Sequence, residues 1–462
     1  LKCRRGGDLP EMIPDEPEAV NADAGICSST FLNTPLKQFG GIMTQIESAL
    51  KGIITDQMNE AAALEGIEAS ALLKMIASGK AVIPFNKKRK AKNAIAVGKD
   101  LLVKINANIG TSPKNCDIDY EMKKLHAAIK SGAEAVMDLS IGGDVKEMRR
   151  RFMEECSVAT GCVPAYSVIT KCKGNLSEMK EKDFIDAVYA DAAWGIDFAT
   201  VHCGITMSAA EKASSRIMGI TSRGGSIISK WMKYHKKENP FFTHFDEICA
   251  IAKEFDLTLS LGDALRPGGG ADAGDSAQMS ELANLGELTL IAREKGVQVM
   301  VEGPGHVPLH LIENQIKEAD RVCHGAPFFV LGPLVTDSAP GYDHITGAIG
   351  GALAGMHGAA FLCYLTPAEH LRLPSVDDVV EGVIASKIAA HSANIAKGIS
   401  SARNKDEVFS KARRDFDWEK MFELAIDPVK ARKYREGSTH SNEKECSMCG
   451  EFCAMKEEFG AD

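Results

Sequence analysis

The chain has 462 residues, 45% of them hydrophobic and 25% charged, enough for one large or two ordinary domains around a sizeable core. A net charge of -9 argues against a general nucleic-acid surface, so any anion site must be local. The 13 cysteines are odd in number and scattered, which excludes a disulfide framework and fits a reducing cytoplasm.

Residues 1–42 are rich in Pro, Asp, Glu, Gly and Asn without periodicity, and the composition predicts a disordered extension. Basic residues open it, but no apolar signal region follows them. Met43 has the look of a natural start. Helical periodicity then runs to about Ser78, with Gly79 as its stop and Pro84 soon after, which predicts an N-terminal helical segment over 43–100.

From residue 101 short apolar runs alternate with helix-length segments. The runs are Leu101–Asn108, Ala135–Ser140, Val163–Ser167, Phe198–His202, Gly219–Arg223, Leu257–Asp263, Val297–Glu302, Phe328–Leu331 and Ala359–Leu365. Buried parallel strands take this form, with helices as crossovers. The rhythm predicts an α/β fold, a (β/α)8 TIM-type barrel over 101–375, with one run too many for its eight places. A doubly wound open sheet is the alternative, but no G-x-G-x-x-G follows the first run. Ala348–Leu365 is as long as a membrane span and almost uncharged; its four glycines and the break at Met356-His357-Gly358 predict a buried helix and strand instead. A C-terminal helical region over 376–436 follows, with Val376–Lys397 capped by Ser375 and shorter helices over Ser401–Ala425 and Pro428–Arg435. Residues 437–462 form a flexible tail.

In such a barrel the functional groups sit at the C-terminal ends of the strands. Here those ends offer Asn108, Met137, Tyr166, His202, Ser222-Arg223-Gly224, Asp263 with Arg266, and Glu302 with His306. So many polar types at equivalent places point to one pocket of a small-molecule enzyme. Ser222-Arg223-Gly224-Gly225-Ser226 supplies a hydroxyl, a guanidinium and accessible backbone N–H groups, as a phosphate requires, although a plain glycine turn has the same composition. Asp263 and Arg266 suit ribose hydroxyls and phosphate, or pair with each other. His306 and His370 each follow a strand end and suit a catalytic metal. In the tail Cys446, Cys449 and Cys453 have the spacing C-x2-C-x3-C. Three thiolates can hold a [4Fe–4S] cluster with one iron open to S-adenosylmethionine. Structural zinc completed by a remote histidine, or merely exposed thiols, fit the spacing too.

Asn106-Ala107-Asn108-Ile109-Gly110, Val136-Met137-Asp138-Leu139-Ser140, Ser222-Arg223-Gly224-Gly225, Glu302-Gly303-Pro304-Gly305-His306 and Pro340-Gly341-Tyr342-Asp343-His344-Ile345-Thr346, in this order, resemble the phosphomethylpyrimidine synthase family of thiamine biosynthesis. The resemblance extends from about Met43 to Lys456. It implies a cytoplasmic, homodimeric radical S-adenosylmethionine lyase acting on 5-aminoimidazole ribonucleotide, served by an unidentified electron donor. It further implies substrate contacts at Asn108, Met137, Tyr166, His202, Ser222, Arg223, Gly224, Asp263, Ala264, Leu265, Arg266, Glu302 and Phe329. Zinc would be held by His306 and His370 and the cluster by Cys446, Cys449 and Cys453, with Glu302, His202 and Cys203 as the catalytic candidates. Neither nucleic acid nor membrane is an implied partner.

Three departures stand out. The tail is one residue shorter than the family's C-x2-C-x4-C, Phe329 stands where a tyrosine is expected, and Cys203 where an alanine is. Losing a phenol removes a hydrogen bond and a proton relay. Such changes beside a retained ribose-phosphate pocket favour the sister group, 5-hydroxybenzimidazole synthase of cobamide (cobalamin) biosynthesis, with phosphomethylpyrimidine synthase as the alternative. A zinc-dependent barrel hydrolase or a ribonucleotide sensor would leave the tail, or both metals, unexplained.

Overall fold

The computed structural model describes residues 43–89, 94–438, 444–449 and 452–455. The extension expected over 1–42, and the parts of the tail at 439–443, 450–451 and 456–462, lie outside the described residues.

The chain enters through three helices, Gln45–Leu50, Asp56–Glu65 and Ala69–Ala77. Thr44 caps the first in a reciprocal capping box with Glu47, which satisfies two orphan N–H groups at once. Ile46, Met58, Leu72 and Ile76 turn inward and form a small core of their own. Gly79 has a φ of +70°, a left-handed turn that ends the helical segment, as its position in the sequence predicts. Two short antiparallel strands follow, β1 (Ala81–Val82) and β2 (Val97–Gly98), which the sequence did not suggest.

The remaining strands are β3 (Lys104–Ile109), β4 (Ala135–Asp138), β5 (Ala159–Cys162), β6 (Phe198–Val201), β7 (Thr258–Leu261), β8 (Val299–Gly303), β9 (Phe328–Leu331) and β10 (Ala359–Cys363). They close in the order β10-β3-β4-β5-β6-β7-β8-β9, eight strands with every neighbour parallel. This is the expected (β/α)8 barrel. Its interior is packed with rings: Phe361 stacks on Phe329 at 4.3 Å and meets Phe198 edge-on at 6.0 Å.

Two of the nine apolar runs are not strands. Val163–Ser167 begins a helix, Pro164–Lys171, with proline at its first position, and the strand is the preceding Ala159–Cys162. That stretch was hidden because Ala-Thr-Gly-Cys is too small to look like a strand. Its smallness has a cause: a Cβ on Gly161 would lie 2.4 Å from the Phe198 ring. Gly219–Arg223 is the surplus run, a loop that ends in the N-cap of the helix Arg223–His235.

The long apolar stretch breaks as expected, with the helix Asp343–His357 stopping at Gly358 before β10. Val376–Ala396 follows a capping box between Ser375 and Asp378. It lies close along Asp343–His357, where a Cβ on Gly355 would stand 2.8 Å from that of Ala393. Ser400–Arg414, Trp418–Leu424 and Pro428–Glu436 complete the chain's helices as described. The described part of the tail rests on them: the Trp418 indole N–H donates to the Lys444 carbonyl at 2.8 Å, and Ser438 bonds Ser447 at 3.1 Å. Among the described residues no helix is long and apolar enough to cross a membrane.

Candidate active site at the barrel mouth

The C-terminal strand ends converge on one cavity. Asn108 from β3, Met137 from β4, His202 after β6, Asp263 and Arg266 after β7, Glu302 from β8, Phe329 from β9 and Cys363 from β10 all line it. Tyr166 joins them from the first turn of the helix Pro164–Lys171 rather than from a strand end.

Ser222, Arg223 and Gly224 do not line this cavity themselves; they stand against His202 and Tyr166, which do. Ser222 caps its helix by accepting the Gly225 N–H at 3.1 Å, and its hydroxyl lies 3.1 Å from His202 Nε2. A Cβ on Gly224 would fall 2.2 Å from His202 Cε1, so only glycine lets the helix start press on the imidazole. The Arg223 guanidinium stands 5.2 Å over the Tyr166 ring. The first-turn N–H groups of the helix Arg223–His235 have no carbonyl partner within the helix; Ser222 takes that of Gly225, and helix starts of this kind favour anions.

Arg266 donates to Asp263 at 3.1 Å, and Thr200 donates to Glu302 at 2.8 Å. Asp263 Oδ2 and His202 Nδ1 are buried with no partner in the protein, as polar atoms awaiting a ligand are. Burial, reinforced by the Arg266 charge, pulls His202 down to about 3, so its ring is neutral. Burial also pushes Asp263 and Glu302 above the usual carboxylate range against the opposing pull of Arg266. Tyr166 is raised by burial, against Arg223. Burial thus works against charge throughout the pocket, while the Arg266 guanidinium pulls the other way on the two acids.

Cys363 is a residue that sequence reading missed. Its thiol receives Asn108 Nδ2–H at 3.1 Å and is pushed up to about 12 by burial, so it keeps its proton. The signal was present in the apolar run Ala359–Leu365, but the strand stops two residues earlier and turns Cys363 into its mouth-facing end. Ala264 and Leu265 are fully buried behind the cavity rather than lining it. Cys203 is likewise fully buried outside it, its thiol pushed up by burial, with Glu281 and Cys249 as neighbours.

His306 and His370 come together at the rim with ring centroids 5.3 Å apart. His306 Nδ1 bonds Asp337 at 2.7 Å and His370 Nδ1 bonds Asp343 at 2.9 Å. A carboxylate on Nδ1 is the usual partner of a metal-bound imidazole and leaves Nε2 for the ion, so the pair fits zinc. Neither aspartate was foreseen: Asp337 lies in a loop, Asp343 opens the helix Asp343–His357, and only the fold brings them near the histidines. Cys446 is half-buried, Cys449 exposed and Cys453 buried, all as free thiols whose chemistry suits an iron–sulfur cluster. Among the described residues no three metal-capable side chains already converge as a ligand set.

Residues 44–458 match the Radical SAM ThiC family. Phosphomethylpyrimidine synthase of Geobacter metallireducens is 53% identical over 420 residues, covering 89% of this chain and 96% of that protein. The enzyme of the same name from Thermoanaerobacter sp. strain X514 is 51% identical over 419 residues, 90% of this chain and 97% of the relative. That from Clostridium kluyveri is 49% identical over 415 residues, 89% and 95% respectively. Among solved structures, dihydropteroate synthase of Coxiella burnetii overlays with a TM-score of 0.36 at 10% identity, covering 64% of this chain and 94% of that one, a likeness too slight to bear on function.

Proposed function

The chain belongs to the radical SAM ThiC family, and from that premise we propose that it is a phosphomethylpyrimidine synthase of thiamine biosynthesis. It converts 5-aminoimidazole ribonucleotide into 4-amino-5-hydroxymethyl-2-methylpyrimidine phosphate. The observation that carries this is the identity of 53% to a phosphomethylpyrimidine synthase across 89% of the chain. It corrects the preference for 5-hydroxybenzimidazole synthase drawn from three departures. Cys203 is buried outside the cavity, so its replacement of alanine carries no information about product. Phe329 spends its ring stacking on Phe361, a packing role a phenol is not needed for.

When bound, a [4Fe–4S] cluster on Cys446, Cys449 and Cys453 supplies one-electron cleavage of S-adenosylmethionine, the hard chemistry of the reaction. The chain's own residues bind and orient the ribonucleotide. Its phosphate sits at the helix start Ser222-Arg223-Gly224, where backbone N–H groups and a guanidinium meet. Asp263, Arg266 and Glu302 take the ribose, and His202, neutral at working pH, offers Nδ1 as an acceptor or donor. Asn108, Met137, Tyr166 and Phe329 enclose the base. The Cys363 thiol, protonated inside the cavity, stands ready to give up its hydrogen. Zinc on His306 and His370 is part of the proposal, supported by the two aspartates behind them. So is a homodimer, supported by the exposed apolar stripe Tyr342, Ile345, Ile349 and Met356 along one helix.

The test is anaerobic: reconstituted protein, a chemical reductant, S-adenosylmethionine and 5-aminoimidazole ribonucleotide, with products identified by mass spectrometry. Hydroxymethylpyrimidine phosphate is expected. A phosphate-free product would overturn the assignment.

A further inference from the structure

Behind the β7 strand end lies an acid that does not line the mouth cavity itself but a smaller adjoining one, shared with Asp263, Arg266 and Glu302. Glu281, on the outer helix Ser276–Glu294, is only 2% exposed. Its two carboxylate oxygens accept the backbone N–H groups of Ala264 at 2.9 Å and Leu265 at 2.6 Å. These are the two residues between Asp263 and Arg266. On the other side of the same loop the Arg216 guanidinium donates to the Leu265 carbonyl at 2.7 Å. The loop is held from both sides.

Two close approaches extend the reach of this hold. A Cβ on Gly225 would lie 2.5 Å from the Ala264 carbonyl oxygen, so the first turn of the helix Arg223–His235 rests directly on Ala264. A Cβ on Gly204 would lie 2.9 Å from Glu281 Cγ, so the segment following His202 abuts the same side chain. One carboxylate thus stands behind the strand-end loop, the helix start and the turn after β6.

We propose that Glu281 is a positioning residue for the substrate: it sets the place of Asp263 and Arg266, and through Ala264 that of the phosphate-binding helix start. The inference rests on the ribonucleotide reading of the pocket. Burial pushes the Glu281 carboxyl up to about 8, and the bonds from Leu265 and Ala264 oppose that push. A side chain needed only for packing would be an aliphatic one, since burying an acid is costly even with the Arg266 and Arg216 charges nearby. What an aliphatic chain lacks is the pair of acceptors that orients two consecutive N–H groups.

The experiment compares wild type, Glu281→Gln and Glu281→Leu as full chains. Glutamine retains one acceptor and turns a donor toward the second N–H; leucine retains none. Amide hydrogen exchange at Ala264 and Leu265 is measured first, then the dissociation constant for 5-aminoimidazole ribonucleotide, then KM and kcat with the loaded enzyme. Expected for Glu281→Gln are faster exchange at both amides, about tenfold weaker substrate binding as the loss of one buried hydrogen bond implies, and a rise in KM larger than the fall in kcat. Glu281→Leu is expected to weaken binding further. Unchanged exchange in Glu281→Gln, which keeps the shape and is the safer folder, overturns the hold. Faster exchange with wild-type affinity, or equal losses in KM and kcat, overturns the positioning role. A wild-type chain that fails to bind the ribonucleotide overturns the functional reading itself, and the positioning role for that substrate with it.

Discussion

Gly224→Ala turns the contact between the helix start and His202 into a measurement. The added Cβ would begin 2.2 Å from His202 Cε1, 2.5 Å from Nδ1 and 2.8 Å from Nε2. Ordinary contact begins at 3.4 Å, so the ring or the helix must retreat by about 1.2 Å. The retreat opens the 3.1 Å bond between His202 and Ser222. Overpacking of a tight site costs about 1–3 kcal/mol and a lost hydrogen bond about 0.5–1.5 kcal/mol, together about 1.5–4.5 kcal/mol. A displacement of this size in a site that orients its substrate lowers kcat/KM about 100-fold. The assay is product formation and substrate calorimetry for Gly224→Ala, His202→Ala and the double variant. If the steric clash is the cause, Gly224→Ala adds little once the ring is gone, and the cycle shows strong coupling. A loss of equal size in both backgrounds refutes the reasoning.

Asp337→Ala and Asp343→Ala, each removing the Nδ1 partner of one histidine, are expected to weaken metal retention about 10–100-fold, read by competition with a chelator; wild-type retention would show that the imidazoles hold no ion. Cys363→Ala is expected to leave substrate affinity within about twofold, since a thiol makes only weak hydrogen bonds, while product yield falls; equal loss of both would reduce the thiol to packing. Asp256 accepts the Gln45 N–H at 2.9 Å, and burial pushes it up from 3.8 to about 7. The folded chain therefore holds a proton there that the unfolded chain has released, so this acid's contribution to stability falls as pH rises from about 4 to 7. Asp256→Asn should make that decline shallower, measured as urea midpoints at pH 5 and pH 7.5, and an unchanged slope would contradict the shift.

The barrel was legible because buried parallel strands are apolar runs, and seven of the nine runs overlap strands of the closed barrel. What failed had local causes. Ala159–Cys162 has small residues because Phe198 needs the space, and Gly219–Arg223 imitates a strand while serving as the lead-in to a helix cap. Strand ends pointed to the cavity directly, since Asn108, Met137, His202, Asp263 and Glu302 lie where a barrel exposes them. Residues that act from behind left no such trace. Glu281 sits on an outer helix where an acid usually means solvent, Asp337 lies in a loop, and Asp343 opens a helix far along the chain from His370's strand end. Periodicity has nothing to say about which carboxylate a fold will bring to which N–H.

The proposed anionic substrate has to be reconciled with a chain of net charge -9, and the charge distribution does so. Arg266 is already committed, paired with Asp263 at 3.1 Å and flanked by Glu302. A phosphate placed there would have to compete with two acids. Arg223 differs: among the described residues it has no carboxylate partner, and it rests on the face of Tyr166. Its charge is added to a helix start whose N–H groups already favour an anion. On the proposed function, Arg223 takes the phosphate and Arg266, paired with Asp263, the neutral hydroxyls. Burial keeps His202 uncharged, and the Arg266 guanidinium near its ring adds to that.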